Sequence, residues 1–241
     1  MITLERQSIL NSEISAADSQ IGIVAALKRV AHEFSFSHVT LQKAPKHEDM
    51  LLSRLIVATS LPAEYVMEFD RAKLLHKCPA APIIAESALP FSWSIDDKDP
   101  RRGLAFSKQL LDLQRRFGIP AHVAMGLNSG DGDRFVLEFA GARPILRQVE
   151  LNEIGMLSLH AFDVFDRIRR TSNATVSTPL TTRELEVVRW TAQGKTSVEI
   201  GRILSLSDHT VNAYMTNAIK KLDCVNRTQL VAKAIRLKLI I

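Results

Sequence analysis

Apolar residues recur in steps of three and four over residues 16–34, at Ile21, Val24, Leu27, Ala31 and Phe34, which predicts an amphipathic helix. Two short apolar runs follow, HVTLQ at 38–42 and LIVAT at 55–59, both strand-like in length and composition. Pro62 then opens a second helical stretch, PAEYVMEFDRAKLLHK, since proline suits a first turn, where a missing N–H has no partner to lose. A third helix is predicted over 103–117. Beyond it, IPAHVAMGL and RFVLEFA flank NSGDGD, two strand-like runs around a glycine-bearing turn, and so predict a hairpin. Helical spacing returns over 145–170 and ends in RIRR, cations suited to a helix C-terminus. Helices around an antiparallel sheet make this body an α+β fold.

The pattern breaks at TSNATVSTP, which is rich in serine and threonine, uncharged, and closed by proline. It reads as a linker over 171–178 between a body (1–170) and a small all-α domain (179–241). In that domain TTRE at 181–184 and TSVE at 196–199 both fit the capping box, so each predicts a helix start. Gly194 stops the first helix, the second spans Thr196 to Leu204, Ser207 caps a third through Leu222, and a fourth begins near Arg227. Two short helices joined by a three-residue turn have helix-turn-helix spacing, with the third helix as the reader. Val211, Met215, Ile219 and Leu222 form its predicted buried stripe, which leaves His209, Asn212, Thr216 and Lys220 to face base edges. Lys195, Thr196, Thr210, Lys220 and Lys221 suit phosphate contacts. A plain helical packing module is the competing reading.

Charge separates the two. The chain of 241 residues carries a formal net charge of +5, and residues 179–241 hold ten basic and five acidic side chains, which accounts for all of it. A basic tail on a neutral body points to nucleic acid. Two distant cysteines make neither a disulfide framework nor a zinc site. The start, MITLERQS, has no leader pattern, and no apolar run approaches the roughly 20 residues of a membrane span, so a cytoplasmic protein is expected. Paired catalytic groups, metal-ligand spacing and phosphate loops are missing from the sequence, so neither an enzyme nor a cofactor is expected. The aspartates of NSGDGD do not follow calcium-loop spacing and are read as turn residues. Cys78 in HKCPAAP stands beside His76 and Lys77, which leaves two readings: an activated, redox-sensing thiol, or a small apolar side chain.

The last 60 or so residues resemble the LuxR-type helix-turn-helix. The likeness rests on the TxxE start, the GKT, the TV opening the reader helix, the KL at its end and the AIRLKLI finish. Gly201 stands where that family commonly has alanine, and Tyr214 where it often has histidine. The body resembles the acyl-homoserine-lactone domain of quorum-sensing LuxR regulators, an α-β-α sandwich. Pro62, Tyr65, Phe69, Cys78–Pro79 and Trp93 keep the spacing of that family's Pro, Trp, Tyr, Asp-Pro and Trp, and His122 replaces a strand glycine. The resemblance implies a homodimeric transcription regulator on a palindromic DNA site, with a ligand pocket around Tyr65, Phe69, Cys78, Trp93 and His122. It also implies altered recognition. The aspartate that accepts the ligand amide is Cys78 here, a loss worth about tenfold to over a hundredfold in affinity. The expected ligand is an acyl-homoserine lactone held weakly, or a less polar molecule, or none, with the pocket partly closed by its own side chains. Heterodimerisation with a lactone-binding relative stays open as an alternative.

Overall fold

The computed structural model describes residues 2–97, 104–174, 180–237 and 239–240. The chain divides into two compact units, residues 1–170 and 171–241.

The first unit is built on a five-stranded antiparallel sheet of order β2-β1-β5-β4-β3. Its strands are β1 (His38–Lys43), β2 (Ile56–Thr59), β3 (Phe91–Ser94), β4 (Ala121–Asn128) and β5 (Arg134–Gly141). Strand side chains alternate between faces, so each strand serves two layers. Val39, Leu41, Val123, Met125, Phe135, Leu137 and Phe139 point to one face. They pack against α1 (Ile2–Ala16), α2 (Gln20–Glu33) and α6 (Gln148–Ala174). Phe135, Phe162 and Phe165 form a ring cluster there, with centroids 5.3–5.9 Å apart. The opposite face meets α3 (Ala63–Arg71), α4 (Ala81–Glu86) and α5 (Lys108–Arg116). The α-β-α sandwich and the β4–β5 hairpin are as expected from the sequence.

Several boundaries differ. The apolar spacing of 16–34 resolves into α2 alone, capped by Ser19, whose hydroxyl accepts from Gly22 N at 3.2 Å. Its buried stripe runs through Ile23, Ala26, Leu27, Val30 and Ala31, whereas Ile21 is 85% exposed. Helix α1 is additional and is anchored chiefly by Leu10 and Ile14, two buried residues one turn apart. Helix α3 stops at Arg71, well short of Lys77, because Lys73 adopts a left-handed conformation (φ 51°). Helix α5 covers Lys108–Arg116, and residues 98–103 lie outside the described residues. Helix α6 continues through Ala174, so 171–174, expected as linker, are helical, and 175–179 lie outside the described residues.

The β4–β5 turn is tied to α6 by ions. Arg169 donates to Asp131 and Asp166, each at 2.8 Å, and to Ser129 Oγ at 2.7 Å. The turn aspartate Asp131 therefore faces a guanidinium.

The second unit holds α7 (Thr182–Ala192), α8 (Ser197–Leu204), α9 (Asp208–Lys221) and α10 (Arg227–Arg236) around one apolar core. Both predicted capping boxes form. Thr181 accepts from Glu184 N at 3.3 Å while Glu184 accepts from Thr181 N at 2.7 Å, and Thr196 with Glu199 repeats the exchange at 3.3 and 2.8 Å.

Candidate ligand cavity and reader helix

Between the sheet and helices α3–α5 lies a cavity of about 550 Å³. Tyr65, Phe69, Cys78, Trp93 and His122 all line it, although they come from one helix, two strands and a loop. The sheet supplies the floor through alternate positions: His38, Thr40 and Gln42 on β1, and Arg134, Val136, Glu138 and Ala140 on β5. Leu52, Leu61, Tyr65, Phe69, Leu75 and Leu110 make the opposite wall apolar.

His122 is paired across the ladder with Trp93, and the two rings stack at 5.1 Å with planes 7° apart. Its Nδ1 lies 2.8 Å from Glu138 Oε1. A ring held flat between strand neighbours leaves the space above it open, so His122 does not close the cavity. Tyr65 packs edge-on to Phe117, with centroids 5.4 Å apart. Burial, then the negative charge of Glu138, pushes the Tyr65 hydroxyl well above its usual value. The same two causes push the Cys78 thiol up to about 11. His76 and Lys77 do not counter this. His76 Nε2 lies 2.6 Å from Asp49 O, and Lys77 Nζ donates to Ala72 O at 3.4 Å. At neutral pH Cys78 is a protonated thiol, and the activated-thiol reading loses its physical basis.

Among the described residues, four buried polar atoms near this face have no protein hydrogen-bond partner: Trp93 Nε1, His122 Nε2, Gln42 Oε1 and Gln114 Oε1. Leaving such a group unpaired in a dry interior costs about 1–3 kcal/mol each. All four residues line the cavity.

In the second unit, α9 presents His209, Asn212, Thr216 and Lys220 on its exposed side, while Val211, Met215 and Leu222 are buried. Ala218 takes the fully buried position expected of Ile219, which is only partly covered. Ser197 Oγ donates to Asn212 Oδ1 at 2.6 Å, fixing the amide across the α8–α9 turn. Gly201 has a packing reason: a Cβ there would stand 2.6 Å from Leu206 O, the carbonyl at the heart of that turn. The hydroxyls of Thr196 and Thr210 are engaged in helix caps, with Glu199 and Ser207. Lys195 is half-buried and its carbonyl accepts from Arg227 at 3.1 Å. Lys221 Nζ donates at 2.8 Å to Glu184, whose side chain is 3% exposed. Lys221 thus joins α9 to the capping box of α7, and of the two adjacent lysines Lys220 is the freer.

Residues 19–166 match the family model for the autoinducer binding domain, and residues 178–234 match that for bacterial regulatory proteins of the luxR family. The chain belongs to the LuxR family of quorum-sensing regulators. Among its relatives, the transcriptional activator protein BjaR1 of Bradyrhizobium diazoefficiens is 29% identical, over 89% of this chain and 88% of that one. The quorum sensing-dependent transcriptional regulator RpaR of Rhodopseudomonas palustris is 33% identical over 65% of this chain and 63% of its own length. The crystal structure of Escherichia coli SdiA shares the fold, with a TM-score of 0.68 over 99% of both chains at 22% identity. This LuxR-family chain departs from simple expectation in the polar lining of its cavity. Glu138, Gln42, Gln114, Thr40 and His38 line the cavity, yet sequence reasoning missed them. A signal was present: polar residues alternate with apolar ones in HVTLQK, and Glu138 interrupts RFVLEFA.

Proposed function

We propose that this LuxR-family regulator binds a palindromic DNA site as a homodimer, through Asn212, Thr216, His209 and Lys220 of α9, and takes a small amphiphile into the cavity of its first unit. The observation that carries the reading is convergence. Residues far apart in sequence (Tyr65, Phe69, Cys78, Trp93 and His122) line one cavity, in a chain that ends in a helix-turn-helix with an exposed polar reader face. Exposed apolar side chains support a second copy as the partner. Val149, Met156 and Leu159 mark one stripe of α6, and Ile235 and Leu237 mark the end of α10. Two reader helices related by a two-fold axis address two half-sites. The described residues contain no helix long and apolar enough to cross a membrane. A cytoplasmic regulator without enzymatic activity is the matching assignment.

Ligand recognition in this reading is altered. Cys78 brings a protonated thiol, a weak partner, where the family resemblance places a charged acceptor. SdiA, the fold relative, has been seen in complex with octanoyl-rac-glycerol, an uncharged acyl lipid. The test is expression and purification without added lactone, followed by DNA binding and mass spectrometry of whatever the cavity retains. Soluble, DNA-binding protein obtained only when an acyl-homoserine lactone is supplied during expression refutes altered recognition. For the reader helix, Asn212→Ala is expected to cost roughly 1–3 kcal/mol on the preferred site and relax its specificity. Lys220→Ala is expected to weaken all sites alike and lower the salt slope by about one.

A further inference from the structure

The cavity holds a partly paired set of polar groups centred on Glu138. Among the described lining residues Glu138 is the one acid, and it comes from the middle of β5. His122 Nδ1 meets its Oε1 at 2.8 Å, and among the described residues no hydrogen bond reaches the other oxygen. His122 is itself 2% exposed and locked by its stack on Trp93, so the carboxylate is held in one place. Its field reaches across the cavity to Tyr65 and Cys78. The buried Trp93 Nε1–H, on the ring that stacks on His122, has no acceptor among the described residues. The wall opposite is apolar.

The basic groups among the described lining residues each have a protein partner, and only His122 Nε2 is left over. Arg134 donates to the carbonyls of Ile84 and Ser87 at 2.9 and 3.3 Å. Lys77 donates to Ala72 O. His38 Nδ1 lies 2.8 Å from Ser60 O, and His76 Nε2 lies 2.6 Å from Asp49 O. His122 is turned to Glu138. An anionic head group entering here meets the Glu138 carboxylate, while Arg134 and Lys77, the permanent cations among the described lining residues, are engaged with backbone carbonyls. A head group that donates finds a fixed, charged acceptor.

We propose that Glu138, positioned by His122, is the specificity-determining residue of the cavity: it selects uncharged amphiphiles whose head group donates an N–H or O–H and rejects the corresponding carboxylates. This rests on the reading that the cavity is the ligand site. Glu138 thereby supplies from the sheet an anionic acceptor that Cys78 does not supply from its loop.

The experiment is calorimetric titration of the full chain with four probes that share one eight-carbon acyl group. N-octanoyl-homoserine lactone donates through an amide N–H and octanoyl glycerol through hydroxyls. Methyl octanoate has no donor, and octanoate is an anion. The lactone and the glycerol ester are expected to bind at least tenfold more tightly than methyl octanoate, with octanoate weakest, since a hydrogen bond to a charged acceptor is worth about tenfold to a hundredfold. Whichever of the two donors binds more tightly separates an N-acyl amide source from an acylglycerol one. Glu138→Gln, which keeps the shape and removes the charge, is expected to lose tenfold or more for both donors and to improve octanoate. The wild-type series decides by itself if that variant does not fold. Equal affinity for methyl octanoate and the donor probes, or octanoate binding as tightly as they do, overturns the assignment of Glu138 and leaves the cavity a ligand site. Failure of all four probes to bind overturns the ligand-site reading, and the Glu138 assignment falls with it.

Discussion

The two faces of the sheet are made from the same strands and do opposite things. Along β5, Phe135, Leu137 and Phe139 point into the layer of α1, α2 and α6, and all are nearly inaccessible. The intervening Arg134, Val136, Glu138 and Ala140 point into the cavity. The first face is finished: its rings touch, and its polar periphery is closed by arginine–carboxylate pairs. The second is left hollow, with buried polar atoms that no protein group satisfies. Period-two alternation lets one strand fill the core with its odd residues and line a cavity with its even ones. Stability should therefore respond to the two faces with opposite signs.

The largest effect belongs to the filled face. Phe135→Ala removes a fully buried ring from the cluster with Phe162 and Phe165 and leaves a void that rigid neighbours cannot close. A loss of about 3–5 kcal/mol is expected, read from the urea midpoint of the first transition. A loss below about 1 kcal/mol would mean that this face is as loosely filled as the other.

Next come the ion pairs of the filled face. Burial pushes Asp166, Asp131 and Glu150 up, but hydrogen bonds from Arg169, or from Arg147 and Arg143, outweigh it and hold all three below the ordinary carboxylate range. A carboxyl depressed in the folded state stabilises fully above its unfolded value, near 4, and that stability drains away as pH falls below it. Acid should therefore destabilise the first unit, with no counterpart loss toward pH 8 from these groups. Arg169→Leu removes one of the two guanidinium partners of Asp166, 6% exposed, and that of Asp131, while Arg170 stays 2.9 Å from Asp166, so it is expected to cost about 2 kcal/mol at neutral pH and to flatten the acid limb. An unchanged acid limb in that variant would assign the sensitivity elsewhere.

How much of this was legible follows the range of the interaction that fixes each part. TTRE and TSVE became helix starts because a capping box is closed within four residues, whatever the rest of the chain does. The exposed side of α9 was equally readable, since His209, Asn212, Thr216 and Lys220 follow from one helical period. Elements held by distant contacts were read poorly. Helix α1 has little beyond Leu10 and Ile14 to mark an inner face, and Ile21 fits a helical spacing yet stays in solvent. Lys73 ends α3 by a left-handed turn that nothing in its residue type announces. Within the cavity, the resemblance located Tyr65, Phe69, Cys78, Trp93 and His122, whereas Glu138 and Gln42 required knowing that the strand has a hollow side.

On that hollow side the sign reverses. Gln42 is nearly buried and its Oε1 has no partner. Gln42→Leu replaces a desolvated amide by an apolar group of similar size, so the ligand-free protein should gain about 1 kcal/mol. The urea midpoint should rise with the slope unchanged, and a fall would show that the amide is satisfied in solution.

The smallest energetic effect is expected at Cys78, where the interest is in rate. Its thiol is pushed up to about 11, so at pH 8 its thiolate is roughly a hundredfold scarcer than that of an ordinary cysteine. Iodoacetamide should label Cys78 far more slowly in the folded protein than in urea, as followed by peptide mass spectrometry. Occupying the cavity with a bound amphiphile should slow it further, since Cys78 and Glu138 line the same space. Labelling at the rate of a free thiol in folded protein would require a thiolate stabilised beside Glu138. A carboxylate disfavours that charge, so a cation would have to enter the cavity to offset it.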